Sequence, residues 1–211
     1  MKLYSYFRSS AAYRVRIALN LKGLAYETVS VHLLKDGGLN KRPEYRAVNP
    51  QMRVPALEAP NGKVLIQSLA IIEYLDETHP RPPLLPTDPI ARAQVRALAQ
   101  IIACDIHPLN NVGPLRYLKN EMHQEQGAID AWYHHWVRTG FEAIEALIEP
   151  APYACGNEVT LADVCLVPQV NNARRFKVPL GQFPKIVAVE AACLKLQAFE
   201  RARPENQPDA E

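Results

Sequence analysis

The chain has 211 residues, 48% hydrophobic and 22% charged, with 24 Lys and Arg against 22 Asp and Glu for a formal charge of +2. This is the balance of an ordinary soluble globular protein, without the clustered basic excess of a nucleic-acid-binding surface. No apolar run approaches the ~18–20 residues that a bilayer span needs. The opening "MKLYSYFRSS" has no apolar signal core, so neither membrane nor nucleic acid is expected as a partner and the expected location is the cytoplasm.

Met1–Tyr6 reads as a strand. From Tyr13 to Leu21, Val15, Ala18 and Leu19 fall at i, i+3 and i+4, a helical spacing, and Gly23 suits the residue just past a helix end. "YETVSVHL" alternates Val29 and Val31 as a second strand. A polar stretch, Asn40–Asn49, is helical or irregular. "VPALEAPNGKVLI" then predicts two strands joined by the turn Pro60-Asn61-Gly62. "SLAIIEYLDETH" is helical, with Ser68 as the expected N-cap and Ile71 and Leu75 one turn apart. The order is β-α-β-α-β-β-α.

"HPRPPLLPTDP" holds five prolines and reads as a linker. Beyond it no strand is predicted. Val95, Leu98, Ile102 and Ile106 form one apolar stripe, and further helices are expected over Ala128–Ile148 and from Leu161 to about Asn172. Thr160-Leu161-Ala162-Asp163 has the form of a capping box, a folding signal. The expected organisation is an α/β domain over 1–80, a linker over 81–87 and an all-α domain over 88–211.

Cys104, Cys155, Cys165 and Cys193 form no C-x-x-C pair and are expected as buried thiols rather than bridges. His134 and His135 are adjacent, about 100° apart around a helix, and make poor co-ligands; no metal site is expected.

Three strand ends carry features that fit parts of a small anionic peptide. Val54-Pro55 opens the third strand, where proline marks a special backbone geometry that can leave the Val54 N–H and C=O to pair with an extended peptide; a plain strand-start proline is the alternative. Gln67-Ser68 precedes a helix whose unpaired amides and dipole favour a carboxylate, and Ser9-Ser10 repeats the arrangement at the first helix. Either serine is also explained as a cap alone.

Taken together, the element order, Val54-Pro55, Gln67-Ser68 and the helical second half resemble a cytosolic glutathione S-transferase over essentially the whole chain. The resemblance implies a thioredoxin-like, glutathione-binding N-terminal domain, an all-helical C-terminal domain and a homodimer. More narrowly, "FRSSAAYRVRIALNLKG", "VNPQMRVPAL", "IQSLAIIEYL" and "LADVCLVPQVNNARRF" resemble the zeta class, best known for maleylacetoacetate isomerase activity. That signature reads Ser-Ser-Cys, two residues, then Arg-Val-Arg; here Ala11 replaces the cysteine.

The resemblance implies glutathione as cofactor, bound by Ser9, Ser10, Val54, Gln67, Ser68, His107 and Asn111. It implies Ser9, Arg8 and Arg175 as the catalytic set, acting on a dicarboxylic keto acid. His107 and Asn111, four apart in "CDIHPLNN", are expected on one helical face, and Arg174 is expected to point away from Arg175. Related maleylpyruvate isomerases carry an arginine after the Asn pair, whereas Val112-Gly113-Pro114 follows here and should interrupt the helix; this disfavours maleylpyruvate. The expected activity is thus conversion of maleylacetoacetate to fumarylacetoacetate in tyrosine or aromatic breakdown. Maleylpyruvate isomerisation, another zeta-like transferase activity, or a non-catalytic glutathione-binding module are the alternatives. Thiol-disulfide exchange fails for want of a cysteine near the first helix.

Overall fold

Strand β1 (Lys2–Ser5) is the centre of the first unit in a computed structural model that describes all 211 residues. Helix α1 (Ser10–Leu21) follows, and β2 (Glu27–Ser30) returns parallel to β1, with Leu3 opposite Thr28. After a short helix α2 (Pro43–Val48), the antiparallel hairpin of β3 (Ala56–Glu58) and β4 (Val64–Ile66) completes a sheet of order β2-β1-β3-β4. Gly62 makes the hairpin turn at φ +77°, a conformation that costs a glycine little, and its N–H donates to the Ala59 carbonyl at 2.9 Å. Helix α3 (Ser68–Thr78) then packs on α1. This is the thioredoxin-like layout expected. Val15, Ala18 and Leu19 are fully buried, and so are the flanking Arg14 and Arg16.

The second unit, Leu84–Cys193, is helical. Helix α4 (Pro89–Gln100) starts under the carboxylate of Asp88, which accepts from the Ala91 N–H at 2.8 Å, and passes into a π-helical turn, Ile101–Ile106. The stripe Val95, Leu98, Ile102 and Ile106 is buried along it. A short α5 (His107–Asn110) ends at Asn111, whose extended backbone opens α6 (Val112–Asn120). The helix is thus interrupted beside Gly113-Pro114, as expected. Helix α7 (Gln126–Leu147) packs on the π turn; a Cβ added at Gly140 would collide with the Ile106 side chain. The buried α8 (Leu161–Arg175) runs against α4 and α9 (Pro184–Cys193), and carries the expected capping box of Thr160 and Asp163.

Three expectations need correction. Residues 194–211 do not join the helical unit: Leu194–Glu211 group with Met1–Pro83. Helix α10 (Gln197–Ala202) lies on α1, its Phe199 and Ala202 fully buried. The Asn20 side-chain amide donates to the Ala198 carbonyl at 2.9 Å and the Arg16 Nε to that of Ala202 at 3.0 Å. Second, Ser68 is the first helical residue of α3, and Gln67 is the cap. Third, only Cys165 and Cys193 are buried thiols, whereas Cys104 and Cys155 are exposed.

Candidate active site

In the first unit the candidate residues collect at two helix N-termini. Ser9 caps α1: its Oγ accepts from the Ala12 N–H at 3.2 Å. A hydroxyl has two lone pairs and one proton, so this bond leaves the proton to donate. The Ser9 N–H donates to the Tyr6 carbonyl at 2.9 Å, which closes a tight turn over Phe7 and Arg8. Arg8 is exposed, its guanidinium 4.8 Å from the centre of the Phe7 ring. Ser10, one residue further, is buried.

The other N-terminus is that of α3. Gln67 holds φ +69°, a strained region for a non-glycine residue that costs about 1–3 kcal/mol and clusters at functional sites. Its side chain donates to Gln51 at 2.8 Å instead of capping, so no side chain caps the first amides of α3. Beneath them the buried Arg14 donates from Nη1 to the Ser68 Oγ at 3.3 Å. A buried guanidinium and a helix N-terminus together make a positive pole suited to a carboxylate. Arg14 was not singled out as a site residue from sequence; an arginine between Tyr13 and Val15 in a mostly apolar helical stretch was its available signal.

Val54 precedes a cis bond to Pro55, and its side chain is buried among Tyr6, Phe7, Val31 and Tyr45. The residue before it is fixed: the Arg53 carbonyl accepts from Tyr45 Oη at 2.6 Å and Asn49 Nδ2 at 2.7 Å. Val54 itself takes part in no backbone hydrogen bond of the loops.

In the second unit, Arg174 and Arg175 part company as expected. Arg174 forms an ion pair with the buried Glu190, Nε donating to Oε2 at 3.1 Å, and ties α8 to α9. Arg175 lies 4.9 Å over the Phe176 ring, which stacks in turn on Tyr133 at 4.0 Å. Those two rings line a cavity of about 210 Å³ that also receives Arg116 and Lys119 from α6. Burial raises the Tyr133 hydroxyl well above its ordinary pKa, so it stays a neutral donor. Arg116 was not singled out from sequence; it stands a turn beyond the Asn pair. His107 and Asn111 do not share one helical face. Asn111 leaves the helix at ψ 162° and turns its Oδ1 to the Val112 N–H at 2.7 Å.

Comparison with known proteins agrees with this layout. Residues 3–83 match the model of the glutathione S-transferase N-terminal domain and 137–196 that of the C-terminal domain. A curated maleylacetoacetate isomerase of Pseudomonas aeruginosa is 49% identical, over 99% of this chain and 98% of its own. A holo structure of a bacterial maleylpyruvate isomerase, described as a zeta-class glutathione S-transferase, is 50% identical with a TM-score of 0.95, covering both chains fully. A maleylacetoacetate isomerase structure from Methylobacterium extorquens, with malonate and glutathione bound, has 39% identity and a TM-score of 0.95, again over both full chains. The chain belongs to the glutathione S-transferase family, in its zeta class.

Proposed function

We propose that this protein is a glutathione-dependent cis–trans isomerase that converts maleylacetoacetate to fumarylacetoacetate. The observation that carries the reading is Ser9: a hydroxyl at the mouth of α1, with its proton left to donate and no cysteine beside it. Such a site supplies no sulfur of its own and stabilises one that glutathione brings. Lowering a thiol pKa from ~8.5 to ~6.5 takes about 2.7 kcal/mol. A charge-assisted hydrogen bond contributes about 1.5–3 kcal/mol, and a helix N-terminus about 0.3–1, or up to ~2 when partly buried. Ser9 and α1 suffice together, so Ala11 in place of cysteine does not remove the activity.

Glutathione is the cofactor. Its γ-glutamyl carboxylate is assigned to the start of α3, at Gln67 and Ser68 with Arg14 beneath, and its extended backbone to Val54. Ser10, His107 and the Asn111 amide are assigned to glutathione by family resemblance. In the reaction the thiolate pair forms a C–S bond at one maleyl carbon while the π pair moves onto the conjugated carbonyl oxygen. The former double bond rotates as a single bond. The enolate pair then re-forms C=C in the trans geometry and expels the thiolate, so no thiol, proton or electron is consumed. Arg8 and Arg175 are assigned to the substrate carboxylates and the enolate charge, since guanidinium pairs with both in planar geometry. The family resemblance supports placing this reaction in tyrosine or aromatic breakdown, in the cytoplasm, in a homodimer.

A second substrate has its own support. Maleylpyruvate was disfavoured because no arginine directly follows the Asn pair, yet Arg116 from α6 enters the cavity beside Phe176 and offers a guanidinium there. Turnover of the two maleyl keto acids with glutathione, followed by ultraviolet absorbance, decides between them. The expected result is faster isomerisation of maleylacetoacetate. Preference for maleylpyruvate would favour the second substrate, and no turnover of either with glutathione bound would leave a binding module. Arg175→Ala should raise the substrate KM roughly tenfold, the loss of one charge-assisted bond; an unchanged KM would reject its assigned role.

A further inference from the structure

The turn that carries Arg8 and Ser9 is gripped from behind by two charged groups that the reaction itself does not use. The peptide planes on both sides of Phe7 are fixed: the Phe7 N–H donates to Asp209 Oδ2 at 3.1 Å, and the Phe7 carbonyl accepts from Arg16 Nη2 at 3.1 Å. Arg16 is fully buried and anchored twice more, to Ser5 Oγ at 3.1 Å and the Ala202 carbonyl at 3.0 Å. Asp209 comes from the far end of the chain. The Gln207 side chain, bonded to the Arg201 and Arg203 carbonyls, shapes the strap that delivers it, and Ser30 Oγ donates to the same carboxylate oxygen at 3.1 Å. Its other oxygen is buried without a hydrogen-bond partner. Two residues on, Glu211 pairs with Lys35 and lies 3.6 Å from the His32 ring nitrogen. The strap therefore spans from the catalytic turn to the loop after β2.

We propose that Asp209 is a positioning residue for the reaction: with Arg16 it clamps Phe7 so that the Ser9 hydroxyl is held where the glutathione sulfur binds. The proposal rests on the reading of Ser9 as thiolate donor. Ser9 is tied to the turn by its N–H bond to Tyr6 and to α1 by two bonds, its carbonyl accepting from the Tyr13 N–H at 2.8 Å and its Oγ from the Ala12 N–H. None of these fixes the Phe7 peptide planes, so the outside clamp sets the path of the turn and with it the direction of the Ser9 proton. Displacement of a catalytic group by about 1 Å can cost on the order of a hundredfold in rate.

The test uses the full chain with Asp209→Ala and Asp209→Asn, measuring kcat, the KM for glutathione, the melting temperature and the ultraviolet absorbance of bound thiolate against pH. For Asp209→Ala the account expects kcat lower by about tenfold or more, glutathione KM within about twofold, and the bound thiol titrating about one unit higher. Asp209→Asn, which keeps an oxygen for the Phe7 N–H, should fall between Ala and wild type; if the Ala chain does not fold, the thiol titration of the Asn chain decides. A wild-type titration and kcat in Asp209→Ala would overturn the proposal, as would a loss that merely parallels lowered melting temperature and glutathione binding. Ser9→Ala in the same assay separates the two ideas. A normal thiolate in Ser9→Ala defeats the Ser9 reading itself; a lost thiolate there with a normal one in Asp209→Ala defeats only the clamp.

Discussion

Ser9→Ala is expected to lose most isomerase turnover at neutral pH while glutathione stays bound. The hydroxyl stabilises the thiolate by about 1.5–3 kcal/mol, so its removal returns the thiol pKa from ~6.5 to between ~7.5 and ~8.5. Ionisation alone then cuts the reactive fraction at pH 7 by roughly 3- to 25-fold, before any loss of orientation. The defect has a signature: the pH–rate profile shifts upward, and much of the rate returns near pH 9, where the thiol ionises without the stabilising hydroxyl. A merely misfolded site would not recover in alkali. The same substitution deletes the α1 cap, since Ser9 Oγ no longer accepts from the Ala12 N–H, and should cost about 1 kcal/mol of stability. Ser9→Thr keeps both donor and cap, and should retain the activity and the cap. Measurement of kcat against pH and of the melting temperature for both variants checks each part.

The largest effect on stability is expected at Asp163, which takes no part in the proposed chemistry. Its carboxylate is fully buried at the start of α8 and accepts from the Ala154 N–H at 2.8 Å, the Thr160 N–H at 2.8 Å and the Thr160 Oγ1 at 2.9 Å. Asp163→Ala leaves three buried donors unmatched, at about 1–3 kcal/mol for each one left unsatisfied. Partial relaxation brings the expected loss to about 3–5 kcal/mol, a large share of the roughly 5–15 kcal/mol that holds a domain folded. Urea titration should show the fall as a lower midpoint at unchanged slope. Burial also pushes the Asp163 carboxyl above its ordinary value, against the pull of its three donors. The native state therefore holds this proton more readily than the unfolded chain, so through this group stability is greatest at low pH and declines as pH rises from about 3.9 through the native pKa. Asp163→Asn should remove that slope.

Most of the fold was legible because its signals are local. Val15, Ala18 and Leu19 lie on the buried side of α1, Gly62 turns the hairpin, and Thr160 with Asp163 caps α8, each within a few residues of its partner in sequence. The C-terminal segment was misassigned for the opposite reason. What draws residues 194–211 to the first unit is burial of Phe199 and Ala202 on α1, with Arg16 and Asn20 reaching backbone carbonyls of α10. Neither an apolar residue nor a carbonyl names its distant partner in the sequence. The π turn at Ile101–Ile106 was invisible for the same kind of reason: one extra residue in a helical turn leaves the apolar stripe nearly intact. At the site, Ser9 could be read because a serine directly before a helix is a cap by chemistry. The cap of α3 was placed one residue late because Gln67 adopts a positive φ that its side chain does not advertise. Asn111 was put on a helical face although asparagine is itself a strong N-cap residue, and it starts α6. Arg14 and Arg16 were noted only as parts of a motif; that both are buried, one under Ser68 and the other behind Phe7, follows from packing that no spacing rule reports.

The account depends on a sulfur that glutathione delivers and that the mouth of α1 keeps ionised. Titrating the ultraviolet absorbance of bound glutathione in the wild-type protein tests this most directly. A thiol that titrates near pH 6.5, about two units below its free value, is the predicted result. A bound thiol still protonated at pH 7 would contradict it.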